Sequence, residues 1–276
     1  MANLNVHQLM LKTLTVLIEQ HVDTEDDMLI LDAFRQNDIK HVCQAIRDVK
    51  TADVVYQHVT LRFGSRGEQS VYRFELSEGM RFALDLYSLY LALRQSRFQI
   101  DTFHPSLLNH IVVPIDANAL LWRKGHEALQ QMLALDKRAF RFVIPSLQIQ
   151  MPEKSHPQLV SLIARMRAHA GALWFDISIP CQQLEFMRKH LPDRVKLAIS
   201  LDSKTDRHAL LPVVRFLRTH KMPWVAGRVA SQGELSQYRL LGATHYFGYF
   251  SDIPVSMSFK PLTDQELLGL EPEFTE

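Results

Sequence analysis

Thirteen histidines and two cysteines are the side chains in this 276-residue chain whose types most readily invite metal or acid-base chemistry. An H-x-H or H-E-x-x-H spacing would set two imidazoles on one metal ion, but neither occurs, and His58, His110, His190 and His245 fall in different segments. Cys43 and Cys181 stand far apart with no C-x-x-C pair, so neither a disulfide framework nor a cysteine zinc site is expected. Ser146 and Ser178 lack the G-x-S-x-G elbow that a serine nucleophile needs. Trp122 and Trp224 have the ring faces for base stacking, although tryptophan more commonly packs between helices and strands. No G-x-G-x-x-G or P-loop pattern is present to cradle a phosphate.

The elements that would position these residues follow from hydrophobic periodicity. Leu9, Leu11, Leu14, Leu17 and Ile18 share one broad helical face, a second apolar group runs from Met28 to Phe34, and Thr24 followed by Asp27 resembles a helix start. A third short helix is expected around Ile39 to Ile46, completing an N-terminal helical segment over residues 1–52. From Asp53 the texture changes to short apolar runs alternating with helical patterns. Strands are expected at Val54–Leu61, Ser70–Leu76, Ile111–Ile115, Phe140–Ile144, Leu173–Ile177, Arg194–Ile199, Pro223–Val225 and Thr244–Phe247, the first two as a hairpin across Gly64 to Gly67. Repeated βα units over 53–258 point to a TIM-like barrel with ligands at the C-terminal strand ends, and a doubly wound sheet is the alternative.

Charge is uneven. Residues 1–52 carry 5 Lys/Arg against 8 Asp/Glu, residues 53–258 carry 25 against 17, and residues 259–276 carry 1 against 5. The last segment is expected to be an acidic tail outside the barrel, since Pro261 and Pro272 interrupt regular structure. No clustered basic run or motif supports nucleic-acid binding. No apolar run reaches the ~18 residues of a membrane span, and the first twenty residues lack the pattern of a signal peptide, so a cytoplasmic protein is expected.

The segment VAGRVASQGELSQYRLLGATHYFGYFSDIP, Val225 to Pro254, is similar to the last strand–helix–strand of the EAL-domain cyclic-di-GMP phosphodiesterases. Ala226, Val229, Leu241, Gly242, Gly248, Tyr249 and Pro254 fit the family's A-E-G-V-E-T, Leu-Gly, Gln-Gly-Tyr and proline positions in order. VVYQHVTL, Val54 to Leu61, resembles the tyrosine-glutamine opening strand, and WFDIS with Lys196 resembles the D-D-F-G and lysine segment. The resemblance implies an EAL-type (β/α) barrel. In an active member, carboxylates and an asparagine hold divalent cations that activate water for attack on a phosphodiester.

By the same resemblance, this sequence departs from the metal-binding pattern. Arg73 or Glu75 takes the E-A-L glutamate position, Asp116 (or Asn118 under another alignment) the asparagine position, and Pro145 or Ser146 a glutamate position. One acid of the D-D pair becomes Phe175, leaving Asp176. Lys196 matches the family lysine, the following aspartate becomes Ala198, the two glutamates of A-E-G-V-E-T become Gly227 and Ala230, and Phe247 replaces glutamine. Asp116, Asp176 and Lys196 are thus a remnant metal or ligand site, with helix capping and a Lys196–Asp176 pair as their structural reading. Arg73 and Arg228, with Lys196, are candidate phosphate contacts at one barrel mouth.

The expectation is a catalytically inactive EAL-like regulatory protein with no cofactor, no metal and no catalytic residue, acting through a protein partner in motility, attachment or gene expression. A non-catalytic cyclic-di-GMP sensor and an active metal-dependent phosphodiesterase are the alternatives. The N-terminal helices are expected as a packed cap or as a partner or homodimer surface.

Overall fold

The computed structural model describes residues 2–149, 157–178, 181, 184–198 and 204–257, with side chains omitted at 2–5 and 204–207. The acidic tail expected at 259–276 lies outside the described residues. Helices α1 (Ala2–Glu19) and α2 (Glu25–Arg35) open the chain, followed by strands β1 (Lys40–Asp48), β2 (Val54–Phe63) and β3 (Gln69–Ser70), a 3-10 turn at Val71–Arg73, and the long helix α3 (Glu78–Thr102). The alternation continues through β4 (His110–Asp116), α4 (Ala117–Leu121), α5 (Arg123–Leu135), α6 (Lys137–Phe140), β5 (Val143–Gln148), α7 (Pro157–His169), β6 (Trp174–Ile177) and α8 (Leu184–His190). It ends with β7 (Arg194–Leu197), α9 (Lys204–Thr219), β8 (Trp224–Ala226), α10 (Gln232–Leu241), β9 (His245–Tyr246) and β10 (Val255–Ser256).

Strands β2 and β4 to β9 run parallel in sequence order, and antiparallel β1 joins β2 to β9, closing an eight-stranded mixed barrel. Closure excludes the doubly wound sheet. The helix expected around Ile39 to Ile46 is β1, so the barrel begins at Lys40 and the N-terminal helical part ends at Arg35. The reason is parity: Val42 and Ile46 are four apart, an even spacing that keeps them on one face of a strand as well as of a helix. The strand expected at Ser70–Leu76 shrinks to β3, which pairs with β2 across Gly64 to Gly67 before the 3-10 turn begins.

Both faces of the central strands are buried, so runs such as Ile111–Val112–Val113 are apolar without alternation. Alternate residues such as Ile111, Val113 and Ile115 meet the surrounding helices, while Ile46, Val112, Ile144, Trp174, Val225 and Phe247 form a separate cluster inside the barrel. Below it, the Arg194 guanidinium lies 5.0 Å from the Tyr56 ring centre and 5.7 Å from that of Trp174, whose rings meet edge to face at 5.1 Å. The barrel is a packed core and not a pore.

Helices α1 and α2 form an extra layer over α3. Met10, Leu14, Ile18, Ile30 and Leu31 join the main core, which explains why α3 is buried nearly all round despite its length. Thr24 caps α2, and Asp27 completes the capping box while also accepting the Ser77 N–H at 3.0 Å, tying α2 to the start of α3. One face of these helices is packed on α3 as a cap, while Val6, Leu9, Met28 and Leu29 stay exposed. No described helix is long and apolar enough to cross a membrane.

Candidate functional site

The register of the parallel strands sets Asp116, Gln148, Asp176 and Lys196 side by side across β4, β5, β6 and β7. Alternation along each strand turns these side chains to the interior, near the C-terminal strand ends where barrel ligands bind. Lys196 Nζ donates to Asp176 Oδ2 at 2.6 Å, with side chains only 5% and 13% exposed. On its other side it donates to Nε2 of His58, across the barrel on β2, at 3.2 Å. The pairing of Lys196 with Asp176 matches the structural reading of the sequence.

His58 was not singled out by the sequence patterns. Its signal is the period-two series Tyr56, His58, Thr60, Arg62 on β2, which places every second polar side chain on one face. Burial, with the nearby Lys196 and Arg62 charges, holds its pKa well below the ordinary histidine range. The ring is therefore neutral, and because Nε2 accepts from Lys196 the proton sits on Nδ1. Phe247 stacks on this ring, with centroids 4.4 Å apart and planes at 24°.

Phe247 also occupies the space above β8. A Cβ on Gly227 would come within 2.9 Å of the Phe247 ring and 3.1 Å of the Ala198 Cβ. Positions 227, 247 and 198, which the sequence resemblance assigns to a glutamate, a glutamine and an aspartate, thus form one contiguous apolar filling. α10 supports it from behind: Ser231 caps the helix and the Glu234 carboxylate accepts the Ala230 N–H at 2.6 Å, while Gly242 ends the helix at φ 94°.

Asp116 serves as a helix cap, its carboxylate accepting the Asn118 N–H at 2.9 Å. Burial pushes its pKa up, against the pull of the Asn118 hydrogen bond and Arg81. Its own N–H donates at 2.7 Å to Asp85 on α3, a second acid that sequence reasoning did not single out. Asp85 also accepts from the Tyr72 hydroxyl at 2.7 Å, and burial drives its pKa up to about 7. Asp85 thereby joins α3 to the end of β4 and to the 3-10 turn.

The candidate cations differ in exposure. Lys196 is enclosed in the barrel, whereas Arg73 is exposed in the 3-10 turn and Arg228 is exposed after β8 with φ 61°. Arg73 and Glu75 lie beyond the barrel strands.

A hard divalent cation needs about six oxygen ligands. Asp176 and His58 are instead joined to the Lys196 amine, position 227 carries no side chain and has no room for one, and Phe247 contributes only a ring. Among the described residues no group of three His, Cys, Asp or Glu side chains is placed to hold a metal. Among the described residues, these side chains do not make up the oxygen shell of a two-metal centre.

No protein-family model matches the chain, and no curated protein does. Solved structures do. The PaMucR phosphodiesterase in complex with c-di-GMP superposes with a TM-score of 0.70 at 15% identity, over 84% of this chain and 98% of that one. The Bacillus subtilis YkuI protein, with an EAL domain and in complex with c-di-GMP and calcium, gives 0.67 at 19% identity, over 87% of this chain and 61% of that one. The Vibrio cholerae LapD S helix-GGDEF-EAL protein bound to c-di-GMP gives 0.66 at 15%, over 83% and 59%. The fold is the EAL-type barrel, and the chain spans about three fifths of the length of the latter two proteins.

Proposed function

We propose that this chain is a non-hydrolytic EAL-like regulatory protein that acts through contact with a protein partner in bacterial signalling of motility, attachment or gene expression, in the cytoplasm. The observation that carries this reading is the Lys196 side chain held between Asp176 and His58, with Phe247 packed over His58. In a phosphodiesterase of this fold the same region must admit cations and water. Here Phe247 and Gly227 stand at positions that the resemblance gives to a glutamine and a glutamate, so side chains that would help hold a hydroxide-generating cation are lacking there.

Incubating the protein with cyclic-di-GMP and Mg²⁺ or Mn²⁺ tests the reading, and no linear product is expected. Turnover that disappears in Asp116→Ala or Asp176→Ala would overturn it. Calorimetry with cyclic-di-GMP separates the two non-hydrolytic classes. Binding without turnover supports a sensor, and no heat of binding supports the protein-contact reading.

A further inference from the structure

The segment that follows β9 forms an exposed apolar surface pinned from beneath. Arg47 holds the Asp252 carboxylate through two hydrogen bonds of 2.8 and 2.7 Å, and Gln44 Nε2 donates to the Asp252 carbonyl at 2.7 Å. Tyr249, Ile253 and Val255 are nevertheless 60%, 75% and 66% exposed. An anchored loop that keeps three large apolar side chains in solvent has the make-up of a recognition surface.

Arg62 reaches it with its side chain, and Arg66 and Arg228 border it through the backbone. Arg62 lies 3.4 Å from the Tyr249 hydroxyl, and the Arg66 carbonyl accepts from Ser256 at 3.4 Å. Arg228 precedes Val229, whose carbonyl accepts the Phe250 N–H at 3.0 Å. Asp252 is paired with Arg47, and the Glu68 carboxylate, which accepts from the Arg66 N–H and Ser65, is one acid against the three arginines. The surface is therefore apolar with a basic rim, and it suits an acidic segment bearing leucines.

Such a segment is part of this chain. Residues 259–276 contain Asp264, Glu266, Glu271, Glu273 and Glu276 against the single Lys260, together with Leu267, Leu268 and Leu270. The described chain ends at Met257, two residues beyond Val255, and the ten residues from Met257 to Leu267 span at most about 35 Å. Tethering at that distance makes occupation intramolecular and raises the local concentration of the segment to the millimolar range.

We propose that residues 259–276 dock on the Tyr249–Ile253–Val255 surface of their own barrel, with acids toward Arg62, Arg66 and Arg228. The tail then acts as a built-in competitor for any acidic, leucine-bearing partner. This docking does not depend on whether the barrel hydrolyses cyclic-di-GMP.

Amide hydrogen exchange of the full chain tests it, with a synthetic peptide of residues 258–276 as the unprotected reference. Residues 264–270 should exchange about tenfold more slowly in the chain than in the peptide, and Ile253→Asp with Val255→Asp should abolish the difference. Both substituted side chains are exposed, so an unchanged melting transition verifies the fold of the variant. Equal exchange in chain and peptide, or protection that survives the double substitution, would overturn the proposal. Protection that grows between about 1 and 100 μM protein would assign the docked tail to a second copy and overturn it equally.

Discussion

The Phe247 ring lies on the face of His58, 4.4 Å between centroids, and the same ring fills the space that a side chain at Gly227 would need. A side chain at position 227 therefore requires Phe247 to shift. Gly227→Glu should destabilise the protein by about 1–3 kcal/mol through overpacking, and adding Phe247→Gln should recover part of that loss. Urea titration of both variants checks this, and an unchanged midpoint for Gly227→Glu would show that Phe247 moves aside freely.

Lys196 and Asp176 form a buried pair, and such pairs are costly to break because one charge is left without its partner. Lys196→Ala should cost about 3–5 kcal/mol, whereas Lys196→Met combined with Asp176→Leu should regain most of the stability. Equal losses in the single and double variants would mean that the packing of the lysine stem dominates over its charge.

Acidification acts on several buried groups with opposite signs. His41 is held down at about 3 and His245 at about 4 by burial, and His58 lies well below its ordinary range. Each is neutral in the fold, so its contribution is present above the unfolded value of about 6.5 and is lost as pH falls toward the folded value. Asp85, raised to about 7, does the reverse: its contribution is full below about 4 and is lost as pH rises through 7. The histidines outnumber it, so stability should fall below about pH 6.5, and Asp85→Asn should make that fall steeper. Chemical denaturation across pH 4 to pH 8 reads both slopes, and a shallower acid limb in the variant would contradict the assignment.

The cap formed by α1 makes a graded prediction. Leu14 is fully buried and Leu9 is 63% exposed on the same helix. Leu14→Ala should cost about 2–5 kcal/mol, and Leu9→Ala less than about 0.5 kcal/mol. Similar small losses at both positions would show that α1 is only loosely applied to α3.

The sequence carried the βα rhythm and most element positions, because strands buried on both faces are continuous apolar runs and the helices between them keep their own period. Thr24 with Asp27 was readable as a helix start because a capping box is local. β1 was not readable as a strand, since its even apolar spacing suits either period, although its hairpin partner β2 is close in sequence. The Lys196–Asp176 pair was foreseeable from the family-like segment around it. His58 and Asp85 were not, because their roles arise from barrel closure and from α3 crossing the end of β4, neither of which leaves a local pattern.

The bond between Arg47 and Asp252 joins residues 205 positions apart. On a ribosome, β1 acquires its hairpin partner β2 almost at once, yet its opposite edge has no partner until the last barrel strand has been made. For most of synthesis the nascent chain therefore presents an unpaired strand edge, the kind of template on which neighbouring chains pair. Completion of the barrel is a late, long-range event with a large loop-closure cost, so folding is slow relative to the helical segments it must wait for. The seam at Arg47 and Asp252 is the place where birth order and native topology conflict most strongly.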